Sequence, residues 1–309
     1  MLTEFSLIER FFKKNPPKNA ETRLGIGDDC ALLSIPSGYE LAITTDTMVE
    51  NVHFFADANP KKLGHKLLAV NLSDLAAMGA KPLAVTLALT LPKIDENWLQ
   101  KFSAGFLNLA QFYNVDLIGG DTTKGALTLT VQAIGLVPFG QALKRSTAKI
   151  GDLIFMTGFL GDAGLGLKIK QGFDSESENA LARFHEPLPR IEIGLALREI
   201  ASACIDISDG LASDLGHILK QSGVGATLDF DKLPLSDDVK KYIKKTGDDL
   251  MPLLAGDDYE LCFAVSPEFA NRVPKNCTEI GVIESESGLR LKKSNQTQTL
   301  TAKGYEHFS

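Results

Sequence analysis

Six times along this chain an apolar run that reads as a strand or a helix delivers aspartate flanked by Gly, Ser or Thr. The segments are Gly25-Ile26-Gly27-Asp28-Asp29, Thr44-Thr45-Asp46, Asn71-Leu72-Ser73-Asp74, Gly119-Gly120-Asp121-Thr122, Asp206-Ile207-Ser208-Asp209-Gly210 and Gly256-Asp257-Asp258-Tyr259. Carboxylates that converge either repel one another or hold cations. Asp has a short stem, so its carboxylate stays where the backbone puts it. Hard cations such as Mg²⁺ want oxygen ligands in octahedral geometry and keep several waters. Neighbouring glycines let the backbone approach a polyphosphate closely.

Aspartate after Gly, Ser or Thr is also how a turn or a helix cap reads. Asp209, before Gly210-Leu211, could cap the next helix, and Asp121 could cap an Asx turn. Asp74 is different: it falls inside a helical pattern one turn from Asn71, where Asp is a poor residue, and functional and structural reasons weigh equally there. The argument for a site rests on the number of segments and their repeated placement at strand ends.

Hydrophobic periodicity supplies the elements. Helices are expected over 6–14, with Ser6 as N-cap, 61–78, 96–113, from the glycine-rich turn to 170, over 190–201, and after Asp209. Strands are expected over 40–45 (running into Asp46), 83–91, 115–118 (running into Gly119-Gly120-Asp121), 126–137, 152–157, 204–207, 226–230, 259–265 and 278–283, with a polar insert around 174–178. Strands and helices mix in both halves, which gives α/β or α+β domains. With 309 residues a single core is too small a container. The polar, basic segment 139–151 separates two apolar blocks, so we expect one domain over 1–140 and a second over 150–309.

Composition closes off other classes. Hydrophobic residues make up 44% and charged residues 23%, as in an ordinary soluble domain, and the formal net charge is −7. Basic residues come at most in pairs such as Lys292-Lys293, so no nucleic-acid partner is expected. The first residues lack a basic stretch followed by an apolar run, and no apolar run approaches the roughly 18–20 residues of a membrane span. The four cysteines show no CxxC spacing and read as reduced, mostly buried thiols of a cytoplasmic protein. GxxxxGK[ST], HRD with DFG, GxGxxG, GxSxG, HExxH and the EF-hand loop are all absent.

GIGDD, TTDTMVENVHF, NLSDLAAMGAKP, LIGGDTT, RSTAKIGD, IDISDGLASDLGH and GDDYEL, in that order, resemble the thiamine-monophosphate kinase family of the aminoimidazole ribonucleotide synthetase-like superfamily. The resemblance runs from Gly25 to Phe308. It implies an N-terminal domain whose sheet pairs across a homodimer and a sandwich-like α+β C-terminal domain. It also implies ATP bound in a cleft near the dimer interface with several Mg²⁺ ions, and direct transfer of the γ-phosphoryl group to thiamine monophosphate without a covalent nucleophile. Carried over by motif, Asp28, Thr44, Thr45, Asp46, Asp74, Asp121, Asp206 and Asp209 are the implied metal ligands or their supports. Gly120, Asp121, Arg145 and Ser208 are the implied ATP contacts, and His53, Asp257 and Phe308 the implied contacts of thiamine monophosphate. The family usually has GED where this chain has Gly256-Asp257-Asp258, so the Asp257 contact is one methylene shorter.

Read without the resemblance, Arg145 could be a solvated surface residue, His53 a hydrogen-bonded core histidine and Phe308 C-terminal packing. Selenophosphate synthetase needs a reactive thiol before Gly25, and the hydrogenase-maturation factor carries a C-terminal Cys where this sequence reads His307-Phe308-Ser309. The purine-pathway cyclo-ligase is the nearest enzymatic rival, against which the VENVHF segment and the HF terminus weigh. A non-catalytic nucleotide-binding homologue is the alternative from another class.

Overall fold

The computed structural model describes residues 3–13, 17–294, 296–301 and 304–305, so Phe308 lies outside the described residues. The chain divides into two compact units, residues 1–75 with 80–140 and residues 76–79 with 141–309.

The first unit comprises α1 (Glu4–Phe11), β1 (Thr22–Leu24), β2 (Leu32–Leu33), β3 (Tyr39–Val49), α2 (Pro60–Ala77, whose last residues belong to the second unit), β4 (Lys81–Leu91), α3 (Glu96–Phe112), β5 (Asp116–Lys124) and β6 (Thr128–Pro138). Thr3, not Ser6, is the N-cap of α1: the two residues form a capping box, with Ser6 at the third helical position. Asn59 Oδ1 accepts from the Lys61 amide at 2.9 Å and so starts α2, with Pro60 in its first turn. Asp95 caps α3 through the Trp98 amide at 3.0 Å.

Four strands form one sheet in the order β3-β6-β4-β5, with β4 and β5 parallel and the other pairs antiparallel. Asp46 and Asp121 lie inside strands rather than at their ends. Gly and Asp are poor strand formers, which makes the strands read short. The neighbours continue, however: β3 pairs with β6 from Tyr39 to Val49, and β5 follows β4 to Lys124. Leu129, Val131 and Ala133 on one sheet face are fully buried, as are Leu67, Leu72, Phe102 and Phe106 on the helices.

The second unit comprises β7 (Leu153–Thr157), α4 (Asp162–Lys170), α5 (Glu178–His185), α6 (Ile191–Leu197), β8 (Ala201–Asp206), α7 (Leu211–Ser222), β9 (Gly225–Asp229), α8 (Asp237–Thr246), α9 (Met251–Leu254), β10 (Leu261–Val265), β11 (Cys277–Glu284), β12 (Gly288–Lys293) and β13 (Gln296–Leu300). Helix α5 stands directly behind the expected polar insert. Ser177 caps it through the Ala180 amide at 3.1 Å, and Ala180 and Phe184 bury its apolar side. The sheet order is β13-β12-β9-β11-β7-β10-β8, antiparallel except for β12 on β9. One core gathers Ile154, Met156, Ile205 and Leu228 from the sheet with Leu215 and Ile218 of α7 and Val239 of α8. On the alternate positions Phe155 and Phe263 stack with ring centroids 5.8 Å apart.

Cys204 and Cys262 are buried and Cys277 is half-buried, but Cys30 is exposed, because its segment is a surface connection between β1 and β2. None of the described helices is long and apolar enough to cross a membrane.

Candidate active site

In the first unit the aspartates fall into two groups. Asp28 and Asp121 line one cleft of about 800 Å³, together with Gly120 and with Lys13 from the segment after α1. Gly120 holds φ +152°, and a side chain there would run into the Leu87 carbonyl, so β5 needs glycine to pass β4 at this point. Asp121 and Asp28 are both exposed.

The second group lies between β3 and α2. Thr44 Oγ1 donates to Asp74 Oδ2. The Asp46 amide donates to Asn71 Oδ1 at 3.2 Å, and Asn71 Nδ2 donates to the Leu67 carbonyl at 3.0 Å. Alternation along β3 puts Thr44 and Asp46 on the α2 side, while Thr45 is exposed on the opposite face. Burial, and after it the nearby charge of Asp74, pushes the Asp46 carboxyl up to about 7. Asp74 therefore has a partner and a neighbouring acid, which a mid-helix aspartate on a solvated face lacks. His53 follows β3, is half-buried, and accepts from the Val49 amide at Nδ1 over 3.0 Å.

In the second unit β8 ends on buried Asp206 and passes into Ser208-Asp209-Gly210. Asp209 does not cap α7; Gly210 occupies that position, without a side-chain bond. The loop is instead shaped by Asp214, whose Oδ2 accepts from the amides of Ser208, Asp209 and Gly210 at 3.0, 3.0 and 3.1 Å. Burial and then the charge of Asp209 push the Asp214 carboxyl up to about 7, against the pull of those donors. Arg145 runs beside β8: the Lys144 carbonyl accepts from the Cys204 amide at 3.1 Å, and the Arg145 side chain is exposed.

The 256–259 loop is hydrogen-bonded onto that same strand end. The Asp257 amide donates to the Ser208 carbonyl and the Tyr259 amide to the Ile207 carbonyl, both at 2.8 Å. Gly256 packs so tightly on the Ser208 carbonyl that no side chain fits. Asp257 and Tyr259 both have positive φ, +70° and +48°, and the Tyr259 hydroxyl donates to Asp257 Oδ1 at 3.1 Å. Asp258 is buried and accepts from the Gly161 and Ala163 amides at 2.7 and 3.2 Å, so it fixes the start of α4; burial pushes its carboxyl up to about 8.

The structure thus brings Thr44, Asp46 and Asp74 together, Asp28 with Gly120 and Asp121, and Asp206, Ser208 and Asp209 with Asp257. Among the described residues no three His, Cys, Asp or Glu side chains converge as a ready-made metal cage. Asn71, Asp214 and Tyr259 fall inside the quoted motifs, but the sequence reading assigned them no role. Asp214 had one local signal, its place in the first turn of the helix after the Ser-Asp-Gly loop.

Sequence models of the AIR synthase related protein family match this chain, the N-terminal domain over residues 27–137 and the C-terminal domain over 149–292. Fold and matched residues together define a two-domain AIR synthase related protein. Thiamine-monophosphate kinase of Salmonella typhimurium is 48% identical over 99% of this chain and 98% of its own length. The crystal structure of thiamine-monophosphate kinase from Stenotrophomonas maltophilia superposes with a TM-score of 0.86 at 40% identity, covering 94% of this chain and 96% of that one. A structure described as AaThiL complexed with AMPPCP and TMP gives 0.81 at 31% identity, over 99% and 97%. The chain belongs to the thiamine-monophosphate kinase family.

Proposed function

We propose that this protein transfers the γ-phosphoryl group of ATP to the phosphate of thiamine monophosphate, giving thiamine diphosphate and ADP. The observation that carries the reading is the full-length match to thiamine-monophosphate kinases at 48% identity. The AMPPCP and TMP held by the related complex are an ATP analogue and a candidate for the same phosphoryl acceptor.

The oxygen-only donor set fits Mg²⁺. Such ions take one or two carboxylates, keep waters and complete their shell with substrate phosphates, so aspartates in pairs suit them better than a closed cage. Asp46 and Asp74 with Thr44, Asp28 with Asp121, and Asp206 with Asp209 are the proposed holders, with Thr45 adjoining the first set. The elevated proton affinity of Asp46 supports this, because a buried carboxylate beside another acid is relieved by a cation. When bound, the ions supply neutralisation of the charge shared between the two phosphate-bearing substrates.

Gly120, Ser208 and Arg145 are the proposed ATP contacts. Gly120 offers backbone without a side chain, and the exposed Arg145 guanidinium offers a positive charge beside β8. His53 and Asp257 are proposed to read thiamine monophosphate, whose cationic ring suits a carboxylate, and Phe308 to cover it. No residue need be phosphorylated on the way; alignment and charge stabilisation suffice. The proposal includes a homodimer joined through the first unit's sheet and a cytoplasmic location, where ATP is at hand.

Radiolabel from the γ-phosphate of ATP should appear in thiamine diphosphate, dependent on Mg²⁺. Tight ATP binding without transfer would favour a non-catalytic nucleotide-binding protein instead.

A further inference from the structure

Behind the 256–259 loop lies a buried ionic cluster that the proposed reaction leaves unused. Glu260 is fully buried. Arg190, preceding α6, grips it with two parallel bonds, Nε to Oε2 at 2.6 Å and Nη2 to Oε1. Arg183 on α5 reaches Oε1 with Nη2 at 2.7 Å, and the same nitrogen donates to the Asp258 carbonyl at 3.1 Å. Thr157 Oγ1 donates to Oε2 and accepts from the Leu261 amide at 2.9 Å.

Glu260 thus meets two guanidinium groups, and the carboxyls of Asp258 and Asp162 also lie within reach of the Arg183 charge. Buried ion pairs of this kind seldom add net stability over apolar residues of the same volume, so stability alone is a poor reason for the cluster. The loop beside it supplies a better one. Side chains alternate: Asp258 and Glu260 are buried, whereas Asp257 and Tyr259 are half-buried and sit in the left-handed region. A non-glycine residue in that region is strained and persists only where the surroundings over-determine it. The anchors on either side of Tyr259 do so, Asp258 tied to the start of α4 and Glu260 to the two arginines.

We infer that Arg183 and Arg190, acting through Glu260 and the Asp258 carbonyl, are positioning residues that hold Asp257 and Tyr259 in register for the substrate. The inference rests on the reading of Asp257 as a contact of thiamine monophosphate, and it adds α5 and the start of α6 to the apparatus of substrate recognition.

The test uses Arg183→Lys and Arg190→Lys, which keep the charge but lose the planar fork, with Arg183→Met as the stronger variant. Exchange at the Asp257 and Tyr259 amides, both hydrogen-bonded in the native loop, should speed up by about tenfold or more while amides of the sheet core stay protected. The KM for thiamine monophosphate should rise about fivefold or more, with that for ATP within about twofold. Because the arginines act through Asp257, no further rise should appear in the Asp257→Ala background. Unchanged exchange at the two amides, a rise that adds to that of Asp257→Ala, or a KM unchanged where Asp257→Ala raises it would overturn the inference. If Asp257→Ala itself leaves that KM unchanged, the substrate reading has failed, and the exchange arm alone decides whether the arginines hold the loop.

Discussion

Asp46 and Asp74 are two acids in the space between β3 and α2, and the carboxyl of Asp46 is pushed from 3.8 to about 7. In the metal-free protein the folded chain then keeps a proton that the unfolded chain releases between about pH 4 and 7. Stability falls as pH rises through that window. Asp46→Asn cannot ionise, so it should remove this slope. Its metal-free Tm at pH 7.5, read by calorimetry in chelator, should exceed that of the parent by roughly 2–4 °C. Turnover of the same variant should fall by about a hundredfold or more. Equal pH slopes for the two proteins, or near-normal activity at ordinary Mg²⁺, would remove Asp46 from the metal set. At Asp257 the expectations are specific to one substrate. Asp257→Ala should cost about 1–3 kcal/mol in kcat/KM for thiamine monophosphate and leave the KM for ATP alone. Asp257→Glu restores the longer arm usual in the family but places glutamate at φ +70°, which aspartate tolerates better. Gain and strain offset each other, so activity should stay within about threefold of the parent in steady-state kinetics. An inactive glutamate variant would assign Asp257 to the scaffold.

At the scale of the element, the first residue of β5 carries a burden that no motif announces. The buried Asp116 carboxylate accepts from the amides of Lys18 and Asn19 at 2.8 and 3.0 Å and from Asn19 Nδ2 and Thr22 Oγ1 at 3.2 and 2.8 Å. It ties the segment that enters β1 to the sheet, and the connection after β1 carries Asp28 into the cleft. Asp116→Ala leaves backbone donors buried without an acceptor, and urea unfolding should register a loss of roughly 3 kcal/mol. The concentration of ATP needed for half-maximal rate should rise in parallel. An unaltered ATP requirement with the same stability loss would separate the Asp28 side of the cleft from nucleotide binding. Most elements were legible because periods of 2 and 3.6 are local properties of sequence. Strand ends were less so: β3 and β5 run past Asp46 and Asp121 because β6 and β4 continue beside them, and pairing partners are not written next to the residues they pair.

At the scale of the whole molecule the proposed assembly turns on one edge strand. Strand β3 is an edge of its sheet, and Tyr39, Leu41 and Ile43 on its outer face are 45, 41 and 57% exposed. A long apolar edge left open is a template for pairing. The protein should sediment as a dimer at micromolar concentration, and Ile43→Asp should shift it to monomer with the fold intact by circular dichroism. A monomeric parent protein would contradict the proposed dimer.

The sequence by itself determined the order of most elements, the membership of the family and the segments that bear the aspartates. Periodicity, glycine punctuation and motif order are all local, so they survive without a fold. Only the tertiary structure decided which aspartates are buried, which are exposed and which neighbours each one meets. GDDYEL does not say that Asp257 stays half-exposed against Tyr259 while Asp258 turns inward to the Gly161 and Ala163 amides. Nor does it say that Glu260 meets arginines 70 and 77 residues away in the chain. The same holds for Asp74, whose meaning depends on Thr44 and Asp46 across the gap to another element. A carboxylate's role is set by burial, by the charges around it and by the donors that reach it, and all three arise from residues distant in sequence.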